Sequence, residues 1–272
     1  MQPTKTVYYT DERNDEFSKA KITPKPIDES WRYLRKGALW KIKRFITYRL
    51  FAHPIGFLYV KTKFRWRVKN RKILKKIPKK QGFFLYGNHT QAVADAFVPS
   101  LAVFPRPVYT IVHANNVSMP VLGKLNAYMG ALPVPDNLKS ARNFYAAVRT
   151  RYGEGNGVMI YPEAHIWPYF IGIRSFPATS FRYPVMLGSP CFVLTNTYQC
   201  RRRGKKPKLI TYLDGPFYPD SDLHPKAAAQ KLRNQAYQTM RRRSKYSNCE
   251  YIRYLKAKQN EENKNEPSLL RK

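Results

Sequence analysis

The sequence predicts an α/β fold, a mixed and mostly parallel sheet flanked by helices, with a basic amphipathic helical region ahead of it. Three observations carry this. From Gly82 onward, short apolar runs alternate with segments of helical periodicity, as in parallel βαβ units. Two of those runs, Gly82-Phe83-Phe84-Leu85-Tyr86-Gly87-Asn88-His89 and Val158-Met159-Ile160-Tyr161-Pro162-Glu163-Ala164-His165, end in polar groups. That pattern puts titratable side chains at the carboxyl edge of an open sheet, where such folds bind ligands. Before Gly82, Trp31, Tyr33, Trp40, Phe45, Tyr48, Phe51 and Trp66 are interleaved with Lys and Arg, and no acidic residue falls between Glu29 and Asp95.

Composition narrows the partners. The 272 residues suffice for one large domain or two small ones, and 43% hydrophobic content supports a packed core. The 50 Lys and Arg against 17 Asp and Glu give a formal charge of +33, which calls for a polyanionic neighbour. Aromatic residues among cations suit the interface of an anionic membrane, and they equally suit stacking on single-stranded bases. Cys191, Cys200 and Cys249 show neither metal-ligand spacing nor a disulfide framework, and their scatter suits a reducing compartment. Met1 to Lys21 is polar and mixed in charge, unlike a signal peptide. No stretch reaches the roughly 18 apolar residues of a spanning helix. The best attempt, Phe45 to Val60, is interrupted by Arg49, His53 and Pro54. The expectation is a peripheral or monotopic protein on the cytoplasmic face of a membrane.

Taken in order, residues 1–28 read as a flexible arm closed by Pro24-Lys25-Pro26. Residues 29–80 form the basic amphipathic, membrane-docking region. Within it Asp28 or Ser30 caps a helix from about Trp31 to Ala52, with Leu34, Ala38, Ile42, Phe45 and Ile46 at helical spacing. A surface helix packed on its own domain would show the same pattern. Phe64, Trp66 and Val68 alternate with Arg65, Arg67 and Lys69 as in a strand, and Arg71 to Lys80 is a cationic linker. Residues 81–250 form the α/β domain. Its strands are placed near 83–86, 108–112, 131–134, 158–161, 191–197 and 209–213, and its helices near 91–104, 121–128, 138–152, 178–187 and 225–243. Residues 251–272 read as a charged tail, frayed from Glu261.

His89 follows a buried strand, and Asp95 stands six positions later. On a straight helix those two side chains would point to different faces, so they meet only if His89 lies in a loop before the helix. Gly87-Asn88 favours that loop. In it, Asp95 would hold the imidazole in one tautomer and leave the other nitrogen free as a base. The plain alternative is a helix-capping imidazole and a solvated aspartate. Glu163 could contact substrate or cap the turn that follows it. His165 nearby raises a His-Glu-His metal cluster, but the ligand set is incomplete and no metal is expected. No Gly-x-Ser-x-Gly elbow and no Walker-type loop is present.

In order, these motifs resemble the glycerolipid acyltransferase superfamily, whose members acylate glycerol 3-phosphate or lysophosphatidic acid. Its first block, Asn-His then Asp, is echoed by Asn88-His89 and Asp95, and its second by Met129-Gly130-Ala131-Leu132-Pro133-Val134. The third, Phe-Pro-Glu-Gly-Thr-Arg, is echoed by Tyr161-Pro162-Glu163-Ala164-His165, and the fourth by a helix leading into Gly188-Ser189-Pro190-Cys191-Phe192-Val193-Leu194. The resemblance implies His89 as general base oriented by Asp95, with Asn88 and Glu163 shaping the acceptor pocket. It implies no cofactor: the donor is an acyl thioester on coenzyme A or acyl carrier protein, and the acceptor a lysophospholipid-type alcohol such as 1-acylglycerol-3-phosphate. Two departures stand out. The family has four residues between His and Asp, where this chain has five, Thr90 to Ala94. The family's phosphate-contacting basic residues are also missing. Pro135 or Asp136 stands near one, His165-Ile166-Trp167 replaces the other, and Arg174 or Arg182 is the candidate substitute. The competing classes are a basic nucleic-acid-binding protein and a non-catalytic lipid-binding relative. The cations form no recognised nucleic-acid module, so no nucleic acid is expected.

Overall fold

The computed structural model describes residues 2–17, 22–120, 122–204 and 206–257. Strand β1 (Lys5–Tyr9) comes first. A helical run follows, made of α1 (Ala38–Phe45), a π-helical stretch Ile46–Ala52 and α2 (His53–Phe64). The short β2 (Arg67–Lys69) and a 3₁₀ turn (Arg71–Lys76) lead into β3 (Phe83–Gly87) and α3 (Ala94–Ala102). Next come β4 (Val108–Val112), the one-turn α4 (Ala114–Ser118), α5 (Leu122–Met129) and β5 (Ala131–Pro133). Helix α6 (Leu138–Gly153) returns to β6 (Gly157–Ile160), and a long loop precedes α7 (Arg182–Leu187) and β7 (Cys191–Gln199). The last elements are β8 (Lys208–Phe217), α8 (Pro225–Ser244) and β9 (Ile252–Lys256).

The central sheet runs β2-β8-β7-β3-β6-β4-β5. Strands β7, β3, β6, β4 and β5 are mutually parallel, while β8 is antiparallel to β7 and carries β2 parallel to itself. This is the mixed, mostly parallel sheet that the sequence predicts. The period-2 geometry of β3 divides its side chains between two cores. Phe83 and Leu85 pack with Val60 and Phe64 of α2 and Val98 and Leu101 of α3. Phe84 and Tyr86 pack with Phe144 and Val148 of α6 and Leu232 and Met240 of α8. Burial on both faces is why the central strands read as unbroken apolar runs.

The amino-terminal third departs from the sequence reading. Residues 1–28 are not simply a flexible arm: Lys5–Tyr9 pairs in parallel with Ile252–Lys256, so the expected boundary at 250 falls just before the partner strand of β1. The tail from residue 258 onward lies outside the described residues. The helix expected from Trp31 begins at Ala38. Gly37 before it takes φ 105°, a conformation that only glycine adopts without strain, and the preceding turn is built on Asp28, whose carboxylate accepts from the Ser30 N–H and hydroxyl. Nor does the helix stop at Ala52. Pro54 is the second residue of α2, inside the continuous helical run, and wider π-helical turns directly precede it. The strand expected at Phe64 is reduced to Arg67–Lys69, because Phe64 closes α2 and Arg65 ends it in a left-handed cap. Among the described residues no helix is long and apolar enough to cross a membrane.

Candidate active site

Register decides what meets at the end of β3. Gly87 lies opposite Leu194 of β7, and Tyr86 opposite Ile160 of β6, so Asn88 leaves the strand beside Thr195-Asn196 on one side and Tyr161 on the other. A Cβ on Gly87 would lie 2.6 Å from Met159 Cε and 3.1 Å from the Leu194 carbonyl, so a larger residue would have to displace the Met159 tip and press on β7. Asn88 then extends the ladder with its side chain. Its Oδ1 accepts from the Asn196 N–H at 2.8 Å, and its Nδ2 donates to the Asn196 carbonyl at 3.0 Å.

His89 and Asp95 come together despite the long separation. Nδ1 of His89 lies 2.9 Å from Asp95 Oδ2. The extra residue is taken up in the non-helical stretch before α3, whose second residue is Asp95. There the carboxylate turns back toward the loop, and Oδ2 also accepts the Thr90 and Gln91 N–H groups at 2.8 Å each. An acidic side chain at the start of a helix is favourably placed against its dipole. Oδ1 accepts from Asn196 Nδ2 at 3.1 Å. Asn196 in turn accepts from Thr211 Oγ1 at 2.6 Å, and Thr211 accepts from Trp66 Nε1 at 2.9 Å. A chain of hydrogen bonds thus runs Trp66–Thr211–Asn196–Asp95–His89, through strands β8 and β7.

The imidazole stacks on Tyr161, with centroids 4.3 Å apart and planes 15° from parallel. The Tyr161 hydroxyl donates to the Asp95 carbonyl at 2.6 Å, and burial pushes its pKa well up, keeping it a neutral donor. Backbone contacts fix the His89 loop from the other side. The His89 N–H donates to Glu163 Oε2 at 3.1 Å, and the His89 carbonyl accepts from the Trp167 N–H at 3.1 Å. The His89 side chain stays 18% exposed while Asp95 is 1% exposed, and among the described residues Nε2 has no hydrogen-bond partner. An imidazole held at one nitrogen by a buried carboxylate, with the other nitrogen uncommitted, is equipped to take a proton from a bound hydroxyl.

The expected substrate contacts sort differently. Asn88 is buried and both its amide atoms are committed to Asn196. Glu163 is buried, and besides the His89 N–H it accepts the Arg174 N–H at 3.0 Å and faces Arg174 Nη2 at 3.5 Å. Burial pushes the Glu163 carboxyl up, opposed by the guanidinium and the two N–H groups. Arg174, expected to replace a phosphate-binding cation, is fully buried. Its guanidinium donates to the carbonyls of His165 and Glu12 and lies over the Trp167 ring, so it braces the site and offers no surface to a ligand. Burial lowers its pKa, countered by Glu163. His165 alone of the four is appreciably exposed, with Nδ1 3.3 Å from Glu16 Oε2. Asn196 and Thr211 were missed in the sequence. The available signal was Thr195-Asn196-Thr197, three consecutive polar residues in an otherwise apolar strand, all buried.

Residues 67–186 match the family model described as Acyltransferase, a segment that includes His89, Asp95, Glu163 and Arg174. The segment also contains Asn88 and Tyr161-Pro162. No curated protein matches the chain. Among solved structures, it is similar to the 1-acyl-sn-glycerophosphate (LPA) acyltransferase PlsC from Thermotoga maritima. Identity is 14% and the TM-score 0.47, with 75% of this chain and 86% of that chain covered.

Proposed function

We propose that this protein is a membrane-surface acyltransferase that moves a fatty acyl group from a thioester to the hydroxyl of a lysophospholipid-type acceptor. The observation that carries the reading is the 2.9 Å contact between His89 and the buried Asp95 at the carboxyl edge of β3. His89 Nε2 removes the acceptor's hydroxyl proton as the oxygen attacks the thioester carbonyl. Asp95 keeps the proton on Nδ1 and stabilises the imidazolium. The tetrahedral intermediate collapses with cleavage of the carbon–sulfur bond, and the imidazolium returns its proton to the leaving thiolate. No acyl-enzyme is needed, because the thioester is already activated. Coenzyme A and acyl carrier protein both supply such a donor.

The surface around α1 and α2 supports action at a bilayer. Leu39, Ile42, Phe45, Leu50, Phe51, Ile55 and Leu58, all on one helical run, are each more than half exposed, and the exposed Lys41 and Lys43 stand among them. Lying in the interface of an anionic membrane would bury that face and leave its cations among the headgroups.

The test is thioester release with lysophospholipid on phosphatidylglycerol-containing vesicles. His89→Ala should lower the rate by about 10²–10⁴-fold, the usual contribution of a general base, with fold and vesicle binding unchanged. A variant that retains full activity would refute the assignment.

A further inference from the structure

A second cationic site lies at the opposite edge of the sheet. Tyr109 is the second residue of β4, and Gly130 directly precedes Ala131, the first residue of β5, so this is the amino edge of the parallel strands. His89 leaves the carboxyl edge, about 16 Å farther along the strand direction at the ~3.3 Å rise of a strand residue and two strands over. Here a narrow recess is lined by Arg32, Arg35, Arg44 and Arg151 together with Trp40 and Tyr109. The guanidinium carbons of Arg44 and Arg151 lie 4.6 Å and 4.7 Å from the centroid of the same Tyr109 ring. Arg35 lies 4.7 Å over Trp40, which stacks on Tyr128 at 4.2 Å.

The charges in this recess are poorly answered. Arg151 pairs with Glu154 at 3.0 Å, and no carboxylate lines the recess itself. Arg44 Nε and Nη2 and Arg151 Nε are buried with no hydrogen-bond partner among the described residues. Buried guanidinium N–H groups left unpaired are costly, and two cations sharing one ring repel. A tetrahedral oxyanion answers both, since arginine forks match phosphate oxygens in pairs.

We propose that this recess binds the phosphate of an anionic phospholipid headgroup. Arg44 sits on α1, next to the exposed Phe45 and two residues from the exposed Ile42, so a lipid layer under α1 would bring headgroup phosphates to the mouth of the recess. Trp40 on its wall is suited to the headgroup level. The choice of a lipid source rests on the surface-docking reading above. The site itself rests only on the converging guanidinium groups.

The test titrates the full chain with dihexanoyl phosphatidylglycerol below its micellar concentration, followed by tryptophan fluorescence. Wild type should bind saturably. Arg44→Gln/Arg151→Gln should weaken binding about tenfold or more, the size expected on losing charge-assisted hydrogen bonds. Arg241→Gln/Arg242→Gln, the same charge change on the exposed end of α8, should leave it unmoved. Arg35→Gln, on the exposed rim, should weaken it several-fold and serves if the first double variant does not fold. Absent saturation in wild type, or equal losses in the two double variants, would overturn the site. Inorganic phosphate competing as well as the lipid would overturn the lipid assignment. Wild type that binds the soluble lipid through Arg44 yet ignores phosphatidylglycerol vesicles would fault the docking reading and leave the recess standing.

Discussion

Asn196→Asp is the sharpest probe of how the dyad is held. The Asn196 amide lies 3.1 Å from Asp95 Oδ1, and both side chains are 1% exposed. The substitution keeps the shape and the acceptor for the Thr211 hydroxyl, but it replaces a donor by a second carboxylate. Two unit charges about 4 Å apart in an effective dielectric of about 20 repel by about 4 kcal/mol, which is roughly three pKa units. The two carboxyl groups therefore share one proton up to about neutral pH, as closely paired carboxylates do.

The sign follows from linkage. The pair's folded-state pKa is raised above the value of about 4 for an unfolded aspartate. Its stability is therefore full below that value and is lost as pH rises through the raised one. Against wild type, which carries no ionisable group at 196, chemical denaturation should show a deficit that grows by up to about 4 kcal/mol between about pH 4 and pH 7. A carboxyl that shares its proton is also a weaker acceptor for the His89 Nδ1–H. At pH 7 kcat should fall on the order of ten- to a hundredfold, part of a general base's contribution, while KM stays close to wild type. Wild-type kcat with a stability deficit that does not change with pH would show that Asn196 does not position Asp95.

Two further outcomes concern the docking region. His53 is buried between Tyr48 and Phe104 with Nε2 unpartnered, and burial, reinforced by the Arg49 charge, pushes its imidazole down to about 4. Its contribution to stability is full above about pH 6.5 and lost as pH falls toward 4, a loss of up to about 3 kcal/mol. His53→Leu should flatten that acid limb in thermal melts, and an unchanged limb would contradict the account. Phe45→Ser/Phe51→Ser removes two side chains that are each 59% exposed. It should weaken vesicle binding by about a hundredfold, the equivalent of about 2–3 kcal/mol of apolar burial, while thioester turnover on a detergent-solubilised acceptor is retained. Undiminished sedimentation with vesicles would refute the docking face.

The sheet was legible because each central strand is a short apolar run closed by Gly, Pro or a polar group, and the structure keeps those runs at nearly the predicted positions. His89 and Asp95 were legible as residues, although their approach depends on a loop whose width no helical periodicity encodes. The roles of Asn88, Glu163 and Arg174 were not. A polar residue at a strand end reads as a substrate contact until the neighbouring strand's register is known, and here register turns Asn88 into a brace against Asn196, while Glu163 and Arg174 pair within the loop after β6. The pairing of β1 with β9 was equally hidden. It joins Lys5 to Ile252 through an edge ladder whose half-exposed residues give little apolar signal. The start of the first helix was misplaced because amphipathic spacing continues through Trp31 and Leu34, while the chain spends those residues on core contacts before Gly37 redirects it.

The buried braces also decide how docking and catalysis can be separated by experiment. Trp167, whose N–H holds the His89 carbonyl, donates its indole N–H to the Asp15 carbonyl at 2.8 Å and packs on Tyr9 at 4.8 Å and Phe17 at 5.3 Å. Arg174, which faces Glu163, donates to the Glu12 carbonyl, and the Ile166 N–H reaches the Glu16 carboxylate. Residues 5–17 therefore buttress the loop that holds His89. Deleting the amino terminus would remove the exposed apolar helices and this buttress together, and a loss of activity could not be assigned to either. Substitutions confined to the outward face of α1 and the π-helical stretch leave the buttress intact. Loss of vesicle binding in those variants, with turnover retained in detergent, is a pattern that only separate docking and catalytic surfaces produce.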